Sequence, residues 1–129
     1  MLICGIDEAG RGPVIGPLVI AGVALHAEEE PKLRAMGVRD SKLLSPLRRT
    51  QLEAEIRHMG RVVTHVLEPA EIDAAVQSDT TNLNWLEADH AARIINELAP
   101  ERAYIDCPSP NIEAFLAYLS ARLTVKCEL

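Results

Sequence analysis

The sequence predicts an α/β protein: a mixed five-stranded sheet with flanking helices. Three observations carry this. Short apolar runs are closed by turn residues, longer segments place apolar residues at helical spacing, and two strands come first before helices and strands alternate. The expected arrangement is a hairpin at one side of the sheet and parallel strands joined by helical crossovers. No internal repeat, linker or low-complexity segment breaks the order, so residues 1–129 are expected to form one core.

Each element has its own signal. Leu2 to Ile6 and Leu18 to Leu25 read as strands joined by a Gly/Pro-rich turn, the second apolar enough to be buried on both faces. Residues His26 to Arg39 are polar and read as a loop or a short helix. Ser45-Pro46 supplies an N-cap and a proline at the first helical position, Leu52, Ile56 and Met59 share a face, and Gly60 is the stop. Arg61 to Leu67 is rich in β-branched residues and reads as the third strand. Pro69 opens a short helix with Ile72, Ala75 and Val76 turned inward. Asn84 and Glu87 have capping-box spacing for a helix with Ala88, Ala91, Ile95 and Leu98 on its apolar face, ended by Pro100. Arg102 to Asp106 is the fourth strand. Ser109-Pro110 caps a helix with Ile112, Phe115, Leu116 and Leu119 on one side. The alternation of Leu123, Val125, Cys127 and Leu129 with polar residues predicts a fifth strand.

Composition excludes several classes. At 129 residues, 48% hydrophobic and 25% charged, the chain holds enough apolar material for one core. Its longest apolar stretch, Pro17 to Leu25, is about half of the ~20 residues that span a bilayer, and the start lacks the pattern of a secretory signal. A soluble, cytoplasmic protein with no membrane partner is expected. Cys4, Cys107 and Cys127 form no Cys-x-x-Cys pair and are odd in number, which argues against a disulfide framework or a zinc site. His26, His58, His65 and His90 show no ligand spacing and read as structural or surface residues. The net charge of −6, from 13 basic and 19 acidic residues, lacks the basic footprint of most nucleic-acid binders.

Chemistry concentrates in one segment. Asp7 and Glu8 stand at the end of the first apolar run and lead into Gly10, Arg11 and Gly12. Carboxylates are the preferred ligands of hard divalent cations. The two glycines permit close backbone approach, and the arginine fork matches phosphate oxygens. Taken alone, an Asp-Glu pair is usually a solvated acidic turn and two glycines a tight bend. It is their combination that favours a site. Since successive strand residues face opposite ways, Glu8 is expected to join Asp7 only if the chain bends after position 7. Asp106, ending the fourth strand, reaches the same place if its strand neighbours the first.

The run Gly5-Ile6-Asp7-Glu8-Ala9-Gly10-Arg11-Gly12-Pro13-Val14-Ile15-Gly16-Pro17 resembles the opening motif of the type 2 ribonucleases H, the ribonuclease HII family. Asp40-Ser41-Lys42-Leu43-Leu44 and Tyr104-Ile105-Asp106 resemble two later elements of its archaeal members, in order and rough spacing. The resemblance covers essentially the whole chain. It implies a ribonuclease H-like fold and an endonuclease that cleaves the RNA strand of RNA/DNA hybrids and incises 5′ of ribonucleotides embedded in duplex DNA, leaving a 3′-hydroxyl and a 5′-phosphate. Asp7, Glu8 and Asp106 would be the catalytic metal ligands, with Mg²⁺ or Mn²⁺ as the metal. Gly10, Arg11 and Gly12 would read the 2′-hydroxyl and its phosphates, and Ser41 and Lys42 would contact phosphate. The partner is the hybrid or ribonucleotide-containing duplex, with no obligate protein partner.

One departure from the family is expected to matter. Members carry a further helical part with a fourth acidic residue and a tyrosine, and neither has a counterpart here. The chain therefore reads as a truncated member whose activity is low or absent. Two rivals stand beside this reading: a non-catalytic domain that binds RNA/DNA hybrids, and a nucleotide-binding α/β module. The second is poor, because Gly-x-Gly-x-x-Gly needs glycine at position 15, which is Ile15.

Overall fold

The computed structural model describes residues 1–9, 17–36, 45–77, 82–105 and 111–129. Strands β1 (Leu2–Ala9), β2 (Leu18–His26), β3 (Arg61–Leu67) and β4 (Arg102–Ile105) form one sheet in the order β3-β2-β1-β4. Helices α1 (Glu30–Ala35), α2 (Pro46–Met59), α3 (Pro69–Gln77), α4 (Leu83–Leu98) and α5 (Ile112–Ser120) flank it, with a 3₁₀ turn at Ala27–Glu29 before α1.

The hairpin of β1 and β2 forms as expected, antiparallel from Leu2↔His26 to Ala9↔Val19. The crossover pattern does not extend to β3, which pairs with β2 antiparallel, Ala24 opposite Arg61 and Leu18 opposite Leu67. Although helices lie between them, β2 ends and β3 begins at the same end of the sheet, so their connection returns to the side it left. On its other side β1 pairs with β4 in parallel.

The sheet has four strands among the described residues, and the predicted fifth reduces to a single parallel bridge, Arg102↔Glu128. Two backbone hydrogen bonds hold it, from Glu128 N to Glu101 O at 2.9 Å and from Ala103 N to Glu128 O at 2.9 Å. Upstream, the Thr124 amide donates to Asn96 Oδ1 at 2.8 Å, so the side chain of α4 takes a donor that a ladder would need. Leu123, Val125, Cys127 and Leu129 still pack on the core. Their alternation signals burial rather than sheet pairing.

One face of the sheet carries the core. Cys4, Ile6, Leu18, Ile20, Ala24 and Leu67 from the strands meet Ala91, Ile94, Ile95 and Leu98 of α4 and Leu119 of α5. Gly22 marks a close approach of α4 to the sheet, since a Cβ there would lie 2.3 Å from Ile94 Cγ2 and 3.3 Å from Leu98 Cδ1. At Gly60, which ends α2, a Cβ would lie 2.2 Å from the Ala24 carbonyl oxygen. The predicted glycine stop is thus also a contact with β2. Trp85 of α4 stacks on Tyr118 of α5 with centroids 4.3 Å apart, the Arg122 guanidinium lies 3.3 Å over the Tyr118 ring, and the Tyr118 hydroxyl donates to Asp89 at 2.9 Å.

Several local expectations shift. Ser45 caps α2, accepting from Arg48 N at 3.1 Å, as predicted. The cap of α4 is Asn82 rather than Asn84, accepting from Trp85 N at 3.0 Å, and the cap of α5 is Asn111, accepting from Ala114 N at 3.1 Å. Ser109 lies outside the described residues. Val76 and Ile112 were expected inward, but each sits near a helix end beyond the reach of the core and is mostly exposed, whereas Ala75 and Phe115 are buried. The helix α4 ends at Ala99 in the left-handed conformation, φ 50° and ψ 51°.

Candidate active site

Strand β1 continues past its apolar run to Ala9, with Asp7 opposite Ala21 and Glu8 opposite Ile20. The expected bend directly after Asp7 is therefore absent, because pairing with β2 holds the chain extended for two more residues. By the alternation of a strand, Glu8 follows Cys4 and Ile6 on the face under α4, and Asp7 belongs to the other face. Asp7 is exposed and turns its carboxylate along the strand, where Oδ1 accepts from the Glu8 amide at 2.8 Å.

The two residues nevertheless share one feature. A cavity of about 20 Å³ opens at this end of β1, walled by Ile6, Asp7, Glu8 and Ile20 from the hairpin, Ile105 from β4, Glu87 and Ala91 from α4, and Phe115 from α5. It has room for about one water. Its position follows from topology. Ile6 pairs with Ile105 in the parallel register, so β1 and β4 bring their carboxyl ends out side by side, where α/β sheets place ligand sites. The neighbour relation that Asp106 required is met up to Ile105.

Of the predicted site residues, Asp7 and Glu8 are placed. Asp106, Gly10, Arg11, Gly12, Ser41 and Lys42 lie outside the described residues. One acidic residue was missed. Glu87 is only 3% exposed and lines the cavity with Asp7 and Glu8, whereas its spacing from Asn84 suggested a capping partner. Its placement between Leu86 and Ala88 on a helix followed by Ala91 and Ala92 was the available signal: a carboxylate within an apolar stripe.

The lining suits a hard cation, since it includes the carboxylate residues Asp7, Glu8 and Glu87 and no sulfur or imidazole. Among the described residues, no three His, Cys, Asp or Glu side chains lie close enough to hold a metal together. Asp7, Glu8 and Glu87 are the carboxylates that line the cavity, and Asp106 lies outside the described residues. Two larger cavities are mostly apolar: about 260 Å³ between the opposite sheet face and α1 and α2, and about 380 Å³ beside β4 and α5. Neither adjoins both carboxylates. No described helix is long and apolar enough to cross a membrane.

Two of the histidines read as structural or surface residues meet in the fold: His65 and His90, 25 positions apart, share an Nδ1···Nδ1 contact of 2.8 Å, and His90 Nε2 meets Glu71 Oε2 at 3.1 Å.

Comparison with known proteins agrees with the geometry. The family model described as Ribonuclease HII matches residues 4–126. A ribonuclease HII from Thermofilum pendens is 50% identical over 114 residues, which are 84% of this chain and 54% of that protein. The solved complex of PCNA with RNase HII from Archaeoglobus fulgidus aligns with a TM-score of 0.86 at 38% identity, covering 99% of this chain and 61% of the other. Bst-RNase HIII, solved in complex with Mn²⁺, shares the fold with a TM-score of 0.76 at 24% identity, covering 93% of this chain and 41% of the other. The chain spans about half the length of the curated relatives it matches.

Proposed function

The chain belongs to the ribonuclease HII family, and from that premise we propose that residues 1–129 are the ribonuclease H-like catalytic core of an endoribonuclease acting on RNA/DNA hybrids and on ribonucleotides embedded in duplex DNA. The observation that carries this reading is the pairing of Ile6 with Ile105. It sets Asp7 and Glu8 at the mouth of one cavity beside the end of the strand that leads to Asp106.

In this reading Asp7, Glu8 and Asp106 hold divalent cations, Mg²⁺ or Mn²⁺. When bound, a pair of such ions lowers the pKa of the attacking water and stabilises the leaving oxygen of an in-line phosphodiester displacement. The residues of the chain orient and exclude. Asp7 accepts from the Glu8 amide, which turns its carboxylate along the strand, and Glu8 is backed by Ile20 and α4. Gly10, Arg11 and Gly12 are assigned to the 2′-hydroxyl and its flanking phosphates, which is how a protein tells RNA from DNA. Ser41 and Lys42 are assigned to backbone phosphate, positioning the duplex without reading its sequence. Incision then falls 5′ of the ribonucleotide, leaving a 3′-hydroxyl and a 5′-phosphate.

Turnover by these 129 residues alone is expected to be slow or absent, because they supply three of the acidic ligands and about half the relatives' length. The test is an end-labelled duplex carrying one ribonucleotide, incubated in Mg²⁺, in Mn²⁺ and in EDTA, with Asp7→Asn in parallel. The expected result is slow, metal-dependent incision on the 5′ side and its loss in the variant, together with a Mn²⁺-induced rise in melting temperature that Asp7→Asn reduces. Incision in EDTA, or an equal Mn²⁺ response in both proteins, would refute the reading. Hybrid binding that persists in EDTA, with no incision in either metal and no Mn²⁺-induced rise in melting temperature, would favour the non-catalytic binding domain.

A further inference from the structure

The contact between His65 and His90 is a polar link set into an apolar seam. His65 stands opposite Ile20 of β2, on the same inward row as Leu67, in a strand at the edge of the sheet. His90 belongs to α4, is 8% exposed, and adjoins Ala91 in the wall of the carboxylate cavity. Glu71, from α3, is the third member. One hydrogen-bonded row thus fastens the edge strand and a short helix to α4.

Proton counting limits this row. A neutral imidazole has one donor and one acceptor nitrogen, and an imidazolium has two donors. An ionised Glu71 only accepts, so His90 Nε2 carries a proton. The Nδ1···Nδ1 bond at 2.8 Å then needs a single hydrogen between the two rings. With both rings neutral, His65 Nδ1–H donates to His90 Nδ1. One further proton fits at His65 Nε2, and every bond survives. A second further proton puts N–H groups on both facing nitrogens, and the bond between the rings is lost.

We propose that His65, His90 and Glu71 form a proton-limited latch that holds β3 and α3 against α4 at neutral pH and lets them go when both rings are protonated. The charged groups facing His65 are Arg93 and Glu97 of α4, the first opposing and the second favouring its protonation. Glu71 is the α3 contribution, β2 presents apolar Ile20, and α2 packs on the other face of the sheet. Burial, then His90, lower the His65 pKa from its ordinary 6.5. The sign follows: a histidine depressed in the folded state adds stability that is complete above 6.5 and is lost as pH falls below that value.

The test is ¹⁵N NMR of the imidazoles in the 129-residue chain from pH 8 to 4.5, with amide hydrogen exchange, corrected for intrinsic rates, along β3 and α3. The expected result is two separated protonation steps. Protection in both elements should fall by up to about tenfold per pH unit from below 6.5 down to the second step, before α4 loses its own. His65→Leu, which keeps an apolar side chain in the inward row, is expected to remove that pH dependence. Uptake of both protons in one step with unchanged protection of β3 would overturn the latch, as would the same dependence in His65→Leu. If the variant does not fold, the wild-type titration decides alone.

Discussion

Gly22→Ala tests how tightly α4 is seated on the sheet. The added Cβ would stand 2.3 Å from Ile94 Cγ2, where carbon atoms at rest are about 3.5–4.0 Å apart, so the helix or the side chain must yield by more than an ångström. Ile94 is fully buried and Leu98 closes the other side at 3.3 Å, leaving no free direction. Overpacking of this kind costs about 1–3 kcal/mol, or roughly 4–11 °C in melting temperature for a chain of this length. Ile94→Leu removes the branch that collides while conserving volume, and alone should cost less than about 1.5 kcal/mol. Combined, the two changes should be coupled by about 1 kcal/mol or more in the favourable direction, measured by urea and thermal denaturation. Gly60→Ala is the contrast, because its obstacle is the Ala24 carbonyl oxygen, which no side-chain exchange removes. Melting of Gly22→Ala within a degree of the wild type, or strict additivity with Ile94→Leu, would refute the seating described.

Ala99→Gly should stabilise the chain by about 0.5–1 kcal/mol, since relief of a left-handed alanine outweighs the added freedom of the unfolded chain; a lower melting temperature would contradict this. Cys4 should resist alkylation in the folded protein at pH 8, because burial, with Cys127 nearby, pushes its thiol up to about 12. Peptide mapping after iodoacetamide treatment should find Cys4 unmodified until urea is added, and equal labelling before and after would be against it.

The fold was legible where local pattern and tertiary role coincide. The runs at Leu18 and Arg61 are strands as read, Ser45 is a cap, and Gly60 is a stop. Polarity misled at Asp7 and Glu8, which belong to β1 although its apolar run ends at Ile6, because partners in β2 set the length of a strand. At Leu123 to Leu129 a period of two was correct about which residues face the core and wrong about the ladder, which Asn96 interrupts. The antiparallel placement of β3 had no local signature. Within the site, adjacency made Asp7 and Glu8 visible, while Glu87 and the pairing of His65 with His90 depend on elements that meet only in the folded chain. No spacing rule connects residues 25 positions apart.

The stack of Trp85 on Tyr118 turns the seam between α4 and α5 into something that can be watched. The chain has one tryptophan, so its emission comes from a single place, where two helices close over the sheet face that bears Glu8. Parting of α5 from α4 would change the quenching of that indole by the phenol and its guanidinium neighbour at once. Loosening of α1 and α2 on the opposite sheet face would leave it silent. The native sequence thus carries an optical probe of one side of the sheet, and anything that wedges the two helices apart can be followed without a label.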